Sequence, residues 1–159
     1  MAKTTGKYTS QTLAEQAKEV ELGAFSLGDA VALGQLATTA AQANGLEIVI
    51  EVHHLGRLAY RVALPGSRPD SDDWIARKAR VVERFSSSTL AMRVKYEERG
   101  TTFAEATGLS ESEYAPHGGG FPIVVSGVGP VGAMYASGLP QVKDHEFIVA
   151  CLHELKARA

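Results

Sequence analysis

The stretch LEIVIEVHHLGRLAYRVAL, residues 46–64, carries the reading of the fold. Ile48, Ile50 and Val52 fall on one side of an extended chain, and Glu47, Glu51 and His53 on the other. After a turn at His54-Leu55-Gly56, Leu58, Tyr60, Val62 and Leu64 oppose Arg57 and Arg61. A period of two is the signature of a strand with one face in a core. The stretch predicts a hairpin of strands 46–53 and 57–64. One of its faces is expected to be wet, with Glu and Arg side chains placed to pair across the strands. A second pair of runs, Phe121–Ser126 and Val131–Ser137, is joined by Gly-Val-Gly-Pro and reads as a second hairpin. Phe121, Ile123 and Val125 alternate with Pro122 and Val124, so it is apolar on both faces. It is therefore either central in a sheet or covered by another subunit.

Helical spacing surrounds the hairpins. Leu13, Ala17 and Val20 recur on one face of a helix predicted from Ser10 to Leu22. A second helix follows Ser26, which forms a capping-box pattern with Asp29, and stops at Asn44-Gly45. Its inner face is small (Ala30, Gly34, Ala37, Ala41), which lets a helix lie close against a sheet. After a loop over 65–72, a third helix is predicted over Asp73–Phe85. Shorter pieces follow over 90–98 and 102–107, and a last helix runs from Pro140 to about Arg158, with the proline in its first turn. Residues 1–9 read as a mobile polar tail and residues 10–159 as one domain. The pattern predicts an α/β fold of the α+β kind: an antiparallel sheet with helices packed on it.

Composition agrees with one globular unit. The chain has 159 residues, 45% hydrophobic and 21% charged, with a formal net charge of −2. Such a balance argues against wholesale disorder, and it gives no pull toward nucleic acid or an anionic membrane. No run approaches the ~20 apolar residues of a membrane span. The N-terminal residues contain no apolar leader. The single Cys151 fits a reducing compartment, so a cytoplasmic protein is expected.

Several motifs need weighing. Gly127-Val-Gly129-Pro-Val-Gly132 matches a dinucleotide fingerprint, but that motif needs a helix after the turn. Here Pro130 and the Val131–Ser137 run continue as strand, so a hairpin turn is expected. His53 and His54 are adjacent in a strand and point to opposite faces, so they do not chelate together and no metal site is predicted. Arg77, Arg80 and Arg84 line one flank of the third helix, either as a solvated face or as an anion site. Lys78 is anomalous: it falls among Trp74, Val81 and Phe85 on the apolar stripe of that helix. Its head either snorkels to water or forms the cationic floor of a pocket. Asp144 repeats the anomaly at the head of the stripe Ile148, Cys151, Leu155. It serves the helix dipole, or it partners Lys78 or a ligand. His145 lies beside it at the edge of the stripe. His117 precedes three glycines, whose freedom lets a loop wrap a ligand; otherwise it is a loop histidine without a role.

Taken in order, Asp73-Trp74-Ile-Ala-Arg77-Lys78 with Arg84-Phe85, His117-Gly-Gly-Gly-Phe-Pro-Ile, Val131-Gly132, and Ser137-Gly138-Leu-Pro-Gln with Asp144-His145 resemble the GlcG/HbpS-like proteins, the haem-degrading domain family. The resemblance spans roughly residues 25–155 and points to a largely uncharacterised branch. It implies a profilin-like fold, a homo-oligomer, and small-molecule binding that in some relatives concerns haem or another tetrapyrrole. The shared positions are Lys78, the loop Gly119-Gly120-Phe121-Pro122 and the turn Ser137-Gly138. Trp74, His117 and Asp144-His145 are additions of this branch, which also lacks a secretion signal.

Three functions compete. In the first, a binding module, Trp74 and Phe121 wall a pocket, Gly119 and Gly120 line its loop, Lys78 meets a carboxylate, and His117 or His145 reaches an iron if the ligand is haem. In the second, an enzyme, Lys78 acts as base or nucleophile with Asp144 or His145. In the third, a non-catalytic oligomeric adaptor, Lys78 and Asp144 form a buried ion pair. The first is the reading adopted from the sequence.

Overall fold

The computed structural model describes residues 4–159. Ten elements follow in order: α1 (Ser10–Glu19), α2 (Leu27–Ala43), β1 (Val49–His54), β2 (Arg57–Ala63), α3 (Asp70–Phe85), α4 (Thr89–Glu98), α5 (Phe103–Thr107), β3 (Gly120–Val125), β4 (Gly129–Ser137) and α6 (Gln141–Arg158). The strands form one antiparallel sheet in the order β2-β1-β4-β3. This is the expected sheet with helices on it.

The alternation read in residues 46–64 sorts the side chains correctly on the core side. Ile50 and Val52 join Met134 and Ala136 of β4 and Phe121 and Ile123 of β3 in one apolar layer beneath α2 and α6. The opposite face is not wet along β1, contrary to expectation. Val49 is 1% exposed, and with Ala133 and Tyr135 it packs against Ile75 and Val82 of α3. Only the edge strand β2 keeps a solvent-facing side. Glu51 stands opposite Arg61 and accepts from its Nε at 3.2 Å, the cross-strand pair the sequence suggested.

One strand of the second hairpin, β4, is central; the other, β3, is an edge strand, and its apolar residues are covered within the chain. β4 lies between β1 and β3. The outer edge of β3 is bridged at its C-terminal end by Leu22, whose N–H donates to the Val124 carbonyl while its own carbonyl accepts from Ser126, both at 2.9 Å. This explains why α1 stops at Glu19 instead of continuing to Leu22. α3 begins at Asp70, three residues before the predicted start. Pro69 is already helical at φ −56°, and Asp70, Asp72 and Asp73 put negative charge at the positive end of the helix. Pro140 sits one residue before the first turn of α6 rather than inside it.

Helix α2 lies close on the sheet for the reason its small face suggested. A Cβ on Gly34 would stand 2.1 Å from the Tyr60 ring. Tyr60 closes the contact through a 2.6 Å hydrogen bond between its hydroxyl and that of Thr38.

The segment predicted as a mobile tail is packed onto α4 and α6 from residue 4 onward. Thr5 is 1% exposed, and its hydroxyl donates to Glu97. The Tyr8 hydroxyl donates to Glu146, and Thr4 Oγ1 accepts from Gln141. Residues 1–3 of that segment lie outside the described residues. Among the described residues no helix is long and apolar enough to cross a membrane.

Candidate functional site

Lys78 enters from the middle of α3 and passes the end of the sheet toward α6. Its side chain is 3% exposed. The Nζ donates to the Ala136 carbonyl of β4 at 3.0 Å and to Asp144 Oδ2, in the first turn of α6, at 3.4 Å. The other carboxylate oxygen of Asp144 accepts from the Leu139 N–H at 3.1 Å. The two misplaced charges of the sequence therefore meet. Gly119 makes room for them: a Cβ there would lie 2.5 Å from the Lys78 Nζ and 2.3 Å from the Ala136 oxygen, and its φ is +121°. Burial disfavours both charges. It lowers the proton affinity of the Lys78 amine, against the pull of the Asp144 carboxylate. It raises the Asp144 carboxyl from 3.8 to about 6, with Lys78 pulling the other way.

The pair forms the floor of a cleft of about 280 Å³ whose walls include Arg68, Trp74, His117 and Ser137. The Trp74 indole N–H is fixed by Asp70 at 3.1 Å, and the Arg77 guanidinium lies over the ring, 4.0 Å from its centroid. His117 meets Trp74 edge-on at 5.1 Å. Burial first, then the positive charges of Arg93, Lys78 and Arg77, depress the His117 imidazole to about 4, so it is neutral near pH 7. The loop behind it is held where the Gly118 N–H donates to Gln141 Oε1 at 3.1 Å. Two of the three arginines on the α3 flank hold backbone. Arg77 donates to the Glu111 carbonyl and Arg80 to the Glu113 carbonyl, each at 2.9 Å. They anchor the chain that leads to His117.

The bonding in the cleft is asymmetric. Its acids are spent on the protein: Asp70 on Trp74, Asp144 on Leu139 and Lys78. Its donors are divided: those of Trp74, Lys78 and Gln141 are spent on the protein as well. Arg68, the Ser137 hydroxyl and the His117 ring make no hydrogen bond within the described residues.

Of the eight residues singled out in the sequence, the structure brings Trp74, Lys78, His117 and Asp144 together around the cleft, with Gly119 packed behind the lysine. Gly120 is turned to Thr89, whose Oγ1 accepts its N–H at 3.0 Å. Phe121 lies in the apolar layer under α6. His145 is 1% exposed and faces away from the cleft. It shares a 2.6 Å hydrogen bond with Gln16, sits between Tyr8 and Phe121, and leaves its Nδ1 without a partner. Arg68 and Gln141 were missed. Arg68 lies in an irregular loop, and nothing in its sequence context tells which way it faces. The Pro-Gln start of the last helix was legible, but not the glycine loop stacked on it. His53 and His54 lie on opposite faces, beside Tyr135 and Phe25 respectively.

Comparison with known proteins agrees with this architecture. The family model described as haem degrading protein HbpS-like matches residues 25–153. A UPF0303 protein of Streptomyces coelicolor is 44% identical over 144 residues, 91% of each chain. A UPF0303 protein of Streptomyces avermitilis is 41% identical over 150 residues, 94% of this chain and 92% of its own. The crystal structure of Ybr137w protein superposes with a TM-score of 0.88 at 29% identity, covering 96% of this chain and 91% of that one. Two more distant structures share the fold. HbpS has a TM-score of 0.64 at 21% identity, over 82% of this chain and 89% of its own. A PduOC:Heme complex has a TM-score of 0.68 at 18% identity, over 82% and 94%. The chain belongs to the HbpS-like family, among relatives that are UPF0303 proteins.

Proposed function

We propose that this protein binds a small molecule bearing a carboxylate, in the cleft floored by Lys78 and walled by Trp74 and His117. The observation that carries the reading is the asymmetry of the cleft: its carboxylates are occupied by protein partners, while Arg68, Ser137 and His117 are not. Unspent donors set around a cleft, from exposed Arg68 through half-buried His117 to buried Ser137, recognise an acceptor-rich ligand. Trp74 supplies a flat apolar wall. Haem, bound in the PduOC:Heme complex and expected from the resemblance, fits this cleft poorly. A volume of about 280 Å³ is under the range of roughly 300–1,000 Å³ typical of drug-sized ligands, and a tetrapyrrole is larger still. His145 is sealed on the far side, which leaves half-buried His117 as the one expected iron ligand at the cleft.

The reading includes a reducing, cytoplasmic setting, which a buried Cys151 with its thiol pushed up to about 12 suits. It also includes self-association, for which the exposed Leu55, Leu58 and Val128 at the hairpin ends offer apolar surface. Calorimetric titration with propionate, lactate and pyruvate, beside a haemin absorbance titration, tests it. Saturable heat with at least one acid is expected, weakened roughly tenfold or more in Arg68→Ala, the loss of one charge-assisted bond. Silence toward every acid, together with a stoichiometric haem band lost in His117→Ala, would overturn it in favour of haem.

A further inference from the structure

We infer that Lys78 bonds covalently to its ligand: its amine condenses reversibly with the carbonyl carbon of a small oxo acid seated in the cleft. This rests on the small-acid reading above and goes beyond it. A lysine kept solely for packing would be expected to have all its hydrogens taken up closely. This one has a 3.0 Å bond to a carbonyl and only a 3.4 Å approach to Asp144, no third partner among the described residues, and a place in the cleft's lining. Ile75 and Val82, three residues before it and four after it on the same helix, are buried, and Gly119 leaves the head room that a side chain would fill. The head is therefore fixed, desolvated and open to the cleft, which is the state in which an amine attacks a carbonyl. Arg68 at the rim is unpaired and available for the acid end of the same ligand.

The chemistry balances with the groups present. The neutral amine's lone pair forms a C–N bond, and the carbonyl π pair moves to oxygen. Asp144 Oδ2, beside the nitrogen, carries the nitrogen's two protons to that oxygen in turn: the first turns the alkoxide into a hydroxyl, and the second lets the hydroxyl depart as water while the nitrogen lone pair forms the C=N bond. One water leaves and an imine remains. No oxidant or reductant is required, and hydrolysis runs the same steps backward. A carboxyl raised toward neutrality by burial both takes and gives that proton readily.

The test is reductive trapping on the intact wild-type chain. The protein is incubated at neutral pH with glyoxylate or pyruvate plus cyanoborohydride, which reduces an imine to a stable secondary amine. Adducts are then mapped by peptide mass spectrometry. Labelling is expected at Lys78, about tenfold or more faster than at any exposed lysine, because only this amine is held against a carbonyl bound in the cleft. Excess propionate, which has the carboxylate but no carbonyl, is expected to slow it. Lys78→Arg, which keeps the charge, is expected to lose the adduct while circular dichroism stays unchanged. Adducts spread evenly over the exposed lysines overturn the inference. Saturable pyruvate binding by calorimetry with no adduct at Lys78 overturns the covalent step and leaves the binding reading intact. Absence of both binding and adduct overturns both.

Discussion

At the scale of single residues, the fold tolerates two charges that helical geometry alone would send to oil. Taking one of them away exposes the cost of the other. Removing one partner of a buried pair typically costs roughly 3–5 kcal/mol, because the remaining charge is left desolvated. Lys78→Met is therefore expected to lower stability at neutral pH by that order in urea denaturation. Without the lysine's positive field the Asp144 carboxyl moves further up from about 6, a shift that carboxyl-carbon NMR reads directly. A downward move, or none, would mean that the two groups do not interact. The same carboxyl gives the wild type a pH dependence of known sign. Unfolded, Asp144 releases its proton near 3.8; folded, it holds it to about 6. Between those values the folded state binds the extra proton, so this group's contribution to stability is full below 3.8 and falls as pH rises through 6. At about 1.4 kcal/mol per tenfold change in proton affinity, the full loss is on the order of 3 kcal/mol. The difference in urea midpoints between wild type and Asp144→Asn, followed from pH 4 to pH 6.5, isolates it. A difference that does not change with pH would show that Asp144 titrates normally.

At the scale of elements, close approach decides the packing. α2 is seated by Gly34, where any side chain would enter the Tyr60 ring. Gly34→Ala is expected to push α2 off β2 and cost about 1–3 kcal/mol, the usual penalty of overpacking, despite alanine's better helix propensity. Tyr60→Ala in the same chain removes the obstacle. Gly34→Ala is then expected to be neutral or stabilising there, and equal penalties in both backgrounds would refute the contact. This seat was legible, because small residues at helical spacing advertise close packing without the partner being known. Strands and helices were legible for the same reason, since periods of two and 3.6 are local. The ends were not. α1 stops early because Leu22 bonds to β3, a strand roughly a hundred residues later, and no local pattern carries that. The candidate site was half legible. Lys78 and Asp144 stood out because each violates its own helix's stripe. Arg68 and Gln141 violate nothing, so only the fold reveals them. Phe121 and His145 were misassigned to the pocket because adjacency to His117-Gly-Gly-Gly and to Asp144 says nothing about which side of the sheet a side chain takes.

At the scale of the whole molecule, the two edges of the sheet differ. β4 is bonded on both sides, by β1 and β3, and Met134, Tyr135 and Ala136 are fully buried. β3, at one edge, is bridged on its far side by Leu22 at Val125 and is largely buried. β2 bonds only to β1, its register to that neighbour is broken by an irregularity between Val52 and His53, and most of its residues are exposed or half-buried. Opening a strand costs what its buried contacts and shared hydrogen bonds supply, so local stability should rise from β2 toward β4. The cleft sits at the strong end: Lys78 is bonded to Ala136 of β4, and Asp144 to the turn that follows β4. Native-state amide exchange is therefore expected to be slowest over Ala133–Ala136, at rates set by global unfolding, and fastest among the strands over Arg57–Ala63. Lys78→Met should raise exchange around Ala136 and Leu139 and leave β2 unchanged in relative order, since its loss acts at the far end of the sheet. Uniform protection across the four strands would contradict this. It would mean that the β2 edge is closed in solution, as it would be if two copies of the chain paired through β2.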